Sequence, residues 1–323
     1  MDAFANLALG FSVAVSPLNL VWLFIGVMVG MVVGIIPGFG PAAAIAILLP
    51  VTFGMNPTGA VIMLAAIYYG AQYGGTITSI LLNTPGESSS VASTFDGYPL
   101  AQQGRAGPAL VMQAVASFAG GTLGVVLITL LAPAFSQLTR SFGPPEFFLL
   151  VMMGLATLIV MVGGNWRYGV ISALAGFALG TVGVDLETGQ SRFTFGSAEL
   201  IGGVDFIPVA IGLFGLGELY YAFWTGLHVS GTGGIVRFQD EKRFWPELRD
   251  YVETRWALLR GSLLGFVVGV VPGAGATVAS LMSYSLEKSV AARPERFGKG
   301  AMEGLVGPES ANNAASSGAM VPL

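Results

Sequence analysis

The sequence predicts an all-α polytopic membrane protein with inverted repeats whose helices are broken into half-helices. Three observations predict it. Of the 323 residues only 10% are charged and 54% are hydrophobic, with a mean hydropathy of +0.74, whereas a soluble domain carries about 25% charge. Several uncharged runs approach the ~20 residues that cross ~30 Å of hydrocarbon. The stretch Gly34-Ile-Ile-Pro-Gly-Phe-Gly-Pro41 recurs nearly unchanged as Gly269-Val-Val-Pro-Gly-Ala-Gly275, the copies starting 235 residues apart. An apolar helix interrupted by Pro and Gly in both halves of a membrane chain points to the binding site of a secondary transporter.

Composition excludes other chemistry. The chain has no Cys, which removes disulfides, thiol catalysis and Cys-ligated metals. His228 is the sole histidine, so no zinc-hydrolase motif can form. Neither a catalytic residue nor a metal site is therefore expected. Met1-Asp2 opens without a basic segment, and no cleavable signal peptide is expected.

In chain order, residues 1–16 read as an interfacial lead-in stopped by Pro17. Residues 18–36 form an uncharged span, and Pro41 suits the first position of a half-helix over 42–50. A helix over 58–73 is expected to end at Gly74-Gly75. Thr84, Pro85 and Glu87 then fit a capping box with proline at its preferred place, which predicts a helix start at Thr84. Four spans follow over 109–135, 147–163, 168–184 and 206–226, with a polar segment over 185–199. Residues 237–260 carry six basic and five acidic residues with Trp245 and Trp256 between them, which predicts an amphipathic interfacial helix feeding the second repeat. The even mixture of charge argues against nucleic acid. The expected organisation is a first repeat over 1–104, connecting helices over 105–236, and an interfacial helix with the start of a second repeat over 237–323. Gly74 onward corresponds to Gly318 onward, so the second repeat is expected to be cut off and the chain to be a fragment or a short form.

Of the 14 Lys and Arg, none precedes Arg105 and ten lie between Arg237 and Lys299. Placing the basic clusters in the cytoplasm puts Arg105 and Arg167 there as well and leaves only Arg140 and Arg192 outside. The first repeat then enters from outside and the second from inside, an inverted pair.

Four segments together carry a family resemblance: the Gly34–Pro41 stretch; Tyr69-Gly-Ala-Gln-Tyr-Gly-Gly-Thr-Ile-Thr-Ser-Ile-Leu-Leu-Asn-Thr-Pro-Gly86; Gly212-Leu-Phe-Gly-Leu-Gly-Glu218; and Pro308-Glu-Ser-Ala-Asn-Asn313. The chain resembles, over its whole length, the large membrane subunit of the tripartite tricarboxylate transporters, the TctA family. The resemblance implies cation-coupled uptake of a carboxylate across the bacterial inner membrane, with a small membrane subunit and a periplasmic solute-binding protein as partners. It also implies a longer chain, with further spans after Leu323.

Expected substrate-binding residues are Gly38 and Gly40, Asn83, Thr84, Gly86 and Ser88 in the first half, and Gly273, Gly275, Ser310, Asn312 and Asn313 in the second. With no cation among the first 104 residues, an anion must be held by neutral donors: N–H groups at half-helix starts and the side chains of Asn83, Ser88 and Asn312. No cofactor is expected beyond a coupling cation, sodium or a proton, bound by carbonyls freed at the breaks. Glu218, a carboxylate inside a span, is the candidate for coupling. Packing devices and solvated turns are the alternative roles for these residues. Asp205 and Glu218 lie 13 residues apart, about 220° around a helix, which disfavours an embedded enzyme. A non-transporting scaffold is the remaining alternative. Membrane lipid surrounds the protein on any of these readings.

Overall fold

The computed structural model describes residues 3–36, 40–140, 166–185, 189–204, 243–271 and 275–320, with scattered positions in 143–159 and 209–224. Helix α1 (Ala3–Ala14) precedes α2 (Pro17–Ile35), and Gly40 caps α3 (Pro41–Leu48). Both α2 and α3 start on proline, whose missing N–H is one that a helix start leaves unused. Asn56 opens α4 (Pro57–Leu82) by accepting the Gly59 N–H at 2.7 Å. A single turn, Ser88–Ser90, leads into α5 (Val91–Leu100), and a π-helical turn joins α5 to α6 (Ala106–Arg140). After α7 (Trp166–Gly180) a small hairpin pairs Gly183–Val184 with Ser191–Arg192, tied by an Asp185–Arg192 ion pair. The second half contains α8 (Leu248–Val270), α9 (Gly275–Val290) and α10 (Met302–Gly318). Among the described residues two helical stretches, Pro17–Ile35 and Ser88–Leu131, are long and apolar enough to cross a membrane.

Glycine spacing explains the packing. Gly26, Gly30 and Gly34 recur every four residues along α2 and lie on the backbone of Met63, Ile67 and Ala71 of α4. In the second half Gly261, Gly265 and Gly269 of α8 lie in the same way on Gly307, Ala311 and Ala315 of α10. A Cβ at any of these six glycines would overlap a carbonyl of the facing helix. Such close approach is how helices associate where apolar surroundings supply no hydrophobic drive. The register is shared: the first-helix glycines differ by 235 in number and their partners by 244. Gly74, seated on Met31 and Ile35, likewise matches Gly318, seated on Phe266 and Val270.

Helix α10 is the centre of the molecule. It touches α8, α6, α9, α5 and α4, and every residue of it except Glu303 is buried. Its start is fixed by Asp96 of α5, itself fully buried, whose Oδ1 accepts the N–H groups of Gly298, Gly300 and Ala301 at 2.9, 2.8 and 2.8 Å. The Tyr284 hydroxyl of α9 donates to the other oxygen at 3.0 Å. Wrapping the backbone around one carboxylate requires φ of +80° at Gly298 and +96° at Gly300, a region open to glycine. Beside this knot Ile80, Leu100, Met112, Met302 and Leu305 form the apolar core of α4, α5, α6 and α10.

Three local expectations are corrected. Gly74-Gly75 does not end a helix: α4 runs on to Leu82, because Gly74 is used against α2 and Gly75 against Gly86 and Glu87. No helix starts at Thr84. Asn83 instead closes α4 in the left-handed conformation, and Glu87 is the cap of the next turn, its side chain paired reciprocally with Ser90. The charged stretch after residue 243 is not a separate interfacial helix, since Leu248–Val270 is continuous from charged to apolar. Residues 237–242 lie outside the described residues, as do almost all of the expected spans 147–163 and 206–226.

Charged residues of both halves meet beside α8. Arg105 meets Asp250 at 2.6 Å, and Arg260 grips buried Glu287 with two bonds of 2.8 and 2.5 Å. Arg105, Arg249 and Arg296 line one cavity, so basic residues of both halves share it.

Candidate functional site

Between the two helix pairs lies a buried polar network centred on two carboxylates. Glu309 of α10 is fully buried, and its oxygens accept from Thr76 of α4 at 2.7 Å, Ser117 of α6 at 2.7 Å and Asn313 at 3.1 Å. Glu87 accepts from Ser89, from the Ser90 backbone and, at 3.5 Å, from the Asn312 amide. Asn312 is fully buried, and its Oδ1 has no hydrogen-bond partner among the described residues. One turn further along, Ser316 donates to Gln72 of α4 at 2.9 Å.

The loop before Glu87 explains how a carboxylate enters this interior. The left-handed Asn83 turns the chain back, and Gly86 donates its N–H to Gly75 at 3.1 Å while lying against Gly75 and the Gly34 carbonyl. A side chain at Gly86 would strike both, and one at Gly75 would strike Glu87 Cγ at 2.8 Å. The two glycines thus let the loop lie flat on α4 and push Glu87 inward. From the loop Ser88 meets Thr277, in the first turn of α9, at 2.9 Å, and Ser280 donates to the Ser89 carbonyl at 2.7 Å.

The electrostatics are unusual. Every side-chain donor to Glu87 and Glu309 is a neutral hydroxyl or amide. Among the described residues no Lys, Arg or His pairs with either. A buried carboxylate ordinarily has a cation or coordinates one, because leaving water uncompensated costs several kcal/mol. The site is therefore rich in oxygen acceptors.

The sequence-predicted residues divide into groups. Asn312 and Asn313 lie in the network. Ser310, buried on α10, donates to the Gly307 carbonyl and serves helix packing instead. Gly86 shapes the loop. Asn83 and Ser88 are exposed, and Thr84 donates to the Leu82 carbonyl. Gly40 caps α3 and Gly275 starts α9 at φ +63°, each with open space on its Cβ side. Gly38, Gly273 and Glu218 lie outside the described residues. The polar sets around Asn83 and Asn312 are not equivalents of each other: by the shared register Asn312 matches Tyr68, in the middle of α4, whereas Asn83 closes that helix. They meet across the interface instead. Sequence reasoning read Glu87 as the third helical residue of a capping box begun by Thr84 and passed over Gln72, Thr76 and Ser117. A signal was available, since Glu87 and Asp96 are the only acidic residues between Asp2 and Glu146.

The profile described as "Tripartite tricarboxylate transporter TctA family" matches residues 20–323. Among curated proteins the chain is 44% identical over its 323 residues to one from Agrobacterium vitis, "Uncharacterized 52.8 kDa protein in TAR-I ttuC' 3'region", and covers 63% of that protein's length. It is 52% identical over 59 residues, 18% of the chain, to a second protein of that organism, "Uncharacterized protein in TAR-II ttuC' 3'region", covering 24% of it. No solved structure matches the chain.

Proposed function

Because this chain belongs to the tripartite tricarboxylate transporter TctA family, we propose that it forms, in whole or in part, the large membrane subunit of a cation-coupled uptake system for a di- or tricarboxylate. It acts as a multi-pass protein of the bacterial inner membrane, with a small membrane subunit and a periplasmic solute-binding protein that delivers the substrate. The basic end holding Arg105, Arg249 and Arg296 faces the cytoplasm. The two glycine-registered helix pairs are the cores of inverted repeats.

One observation carries this reading: the Gly86–Ser90 loop of the first half docks on the start of α9 in the second, through Ser88–Thr277 and Ser280–Ser89 contacts. Transporter sites lie at such repeat interfaces, beside half-helix starts. The substrate carboxylates take neutral donors there: the N–H groups following Gly275, the Ser88 and Thr277 hydroxyls and, at the rim, Asn83 and Thr84. Gly38, Gly40 and Gly273 let backbone approach the ligand closely.

Counterflow of labelled di- and tricarboxylates into vesicles, with the full-length subunit and its partners, tests the reading. Ser88→Ala and Thr277→Ala should each raise the half-saturating concentration about tenfold or more, as expected for a lost hydrogen bond to a charged group, with insertion unchanged. No counterflow of any di- or tricarboxylate by the wild-type system would overturn it.

A further inference from the structure

We propose that Glu87 and Asn312, with Glu309 one helical turn away, form a binding site for a single sodium ion. The inference rests on the transporter reading only for its role in coupling; ion binding itself follows from the residues.

The argument begins with acceptors. Glu87 and Glu309 are both buried and, among the described residues, receive only neutral donors. Asn312 adds an amide oxygen, also buried, that nothing satisfies. Its amide nitrogen stands 3.5 Å from Glu87 Oε1, at the limit of a hydrogen bond. Turning that amide by 180° would set two oxygens face to face at nearly the same distance. A small cation between them converts this repulsion into coordination and satisfies both at once.

Charge and ligand type select the ion. Glu309 is already occupied by hydroxyl and amide donors, so it contributes field more than open ligand positions. One carboxylate with amide and hydroxyl oxygens is a hard-oxygen set of low charge. Calcium asks for six to eight oxygens, commonly with several carboxylates, and softer metals ask for nitrogen or sulfur. A monovalent hard cation fits what is present.

The location supplies a reason for coupling. Glu87 is adjacent to Ser88, which faces Thr277 at the start of α9. An anionic substrate arriving there is repelled by two uncompensated carboxylates, and a bound sodium ion removes part of that repulsion. Ion and substrate then favour each other reciprocally.

The test uses the purified full-length subunit in detergent. Thermal unfolding is followed against NaCl, with choline chloride holding ionic strength constant, and 22Na+ binding is measured at fixed pH. Sodium should raise the wild-type midpoint where choline does not. Glu87→Gln, Glu309→Gln and Asn312→Ala should each weaken 22Na+ binding by about 10- to 100-fold, the loss typical of perturbing a metal site. Arg243→Ala, which breaks an exposed ion pair, should bind as wild type. Wild-type protein that responds to pH but not to sodium overturns the proposal, whether or not the variants fold. Unchanged binding in Asn312→Ala and in either Gln variant overturns it too. Sodium binding without carboxylate counterflow would refute the transport reading and leave the site standing; counterflow without sodium binding would do the reverse.

Discussion

Truncating Asp96 is the severest single test of how the central helix is held. Its Oδ1 accepts three backbone N–H groups within 2.9 Å at the start of α10, and the residue is fully buried. Asp96→Ala leaves all three donors without their acceptor, at about 1–3 kcal/mol each, so the whole loss is roughly 3–9 kcal/mol. Asp96→Asn keeps an accepting oxygen of the same reach but gives up the charge. Charge-assisted bonds are about twice as strong as neutral ones, so its loss should be about half as large. Ser93, one turn earlier on α5, supplies the control: its buried hydroxyl has no partner, and Ser93→Ala should be neutral. The assay is the temperature at which the full-length subunit in detergent loses its monodisperse peak, where about 1 kcal/mol corresponds to ~2–4 °C. The expected order of stability is wild type and Ser93→Ala, then Asp96→Asn, then Asp96→Ala. Asp96→Ala no less stable than Ser93→Ala would refute the assignment of this carboxylate as the anchor of α10.

Glycines within one motif should separate by role. Gly34→Ala and Gly269→Ala place a Cβ on the carbonyls of Ala71 and Ala315 and should destabilise by about 1–3 kcal/mol, whereas Gly40→Ala meets open space and should cost under ~1 kcal/mol in the same unfolding assay. Single cysteines replacing Arg105, Arg249 and Arg296, which line one cavity, should all be labelled by an impermeant reagent from the cytoplasmic side alone; labelling from opposite sides would break the shared-end arrangement.

Much of the fold was legible because local rules sufficed. Pro17 and Pro41 mark the starts of α2 and α3 to within a residue of expectation, since proline fits the first helical position and few others. The repeated Gly34 and Gly269, read from the sequence as the start of a break, also close the glycine rows on which α2 and α8 pack. What local rules could not decide was Gly74-Gly75, because the same pair can end a helix or admit a neighbour. Contacts with α2 and the Gly86 loop chose the second. The Thr84 capping pattern failed for a related reason: its Glu87 is drawn into the interior by a long-range pairing with Asn312, 225 residues away. No periodicity reports such a pairing. Asn312 and Asn313 were identified as polar candidates, but their partners on α4 and α6 could be found only in three dimensions.

The shared register makes the asymmetry of the site informative. If α10 is the counterpart of α4, then Glu309, Asn312, Asn313 and Ser316 occupy the places of Ala65, Tyr68, Tyr69 and Gln72. The packing faces are alike, while the polar faces are not. Helix α10 brings one carboxylate and the amides, and α4 answers with the Thr76 hydroxyl and the Gln72 carbonyl. The second carboxylate comes from the loop beyond α4, held inward by Gly75 and Gly86. Neither helix pair contains the whole acceptor set. Any movement of one pair against the other must therefore stretch the Glu87–Asn312 contact, which at 3.5 Å is already the weakest bond in the network. A duplicated scaffold assembled around an unduplicated, acceptor-rich centre makes the cohesion of the two halves depend on what sits between those two side chains.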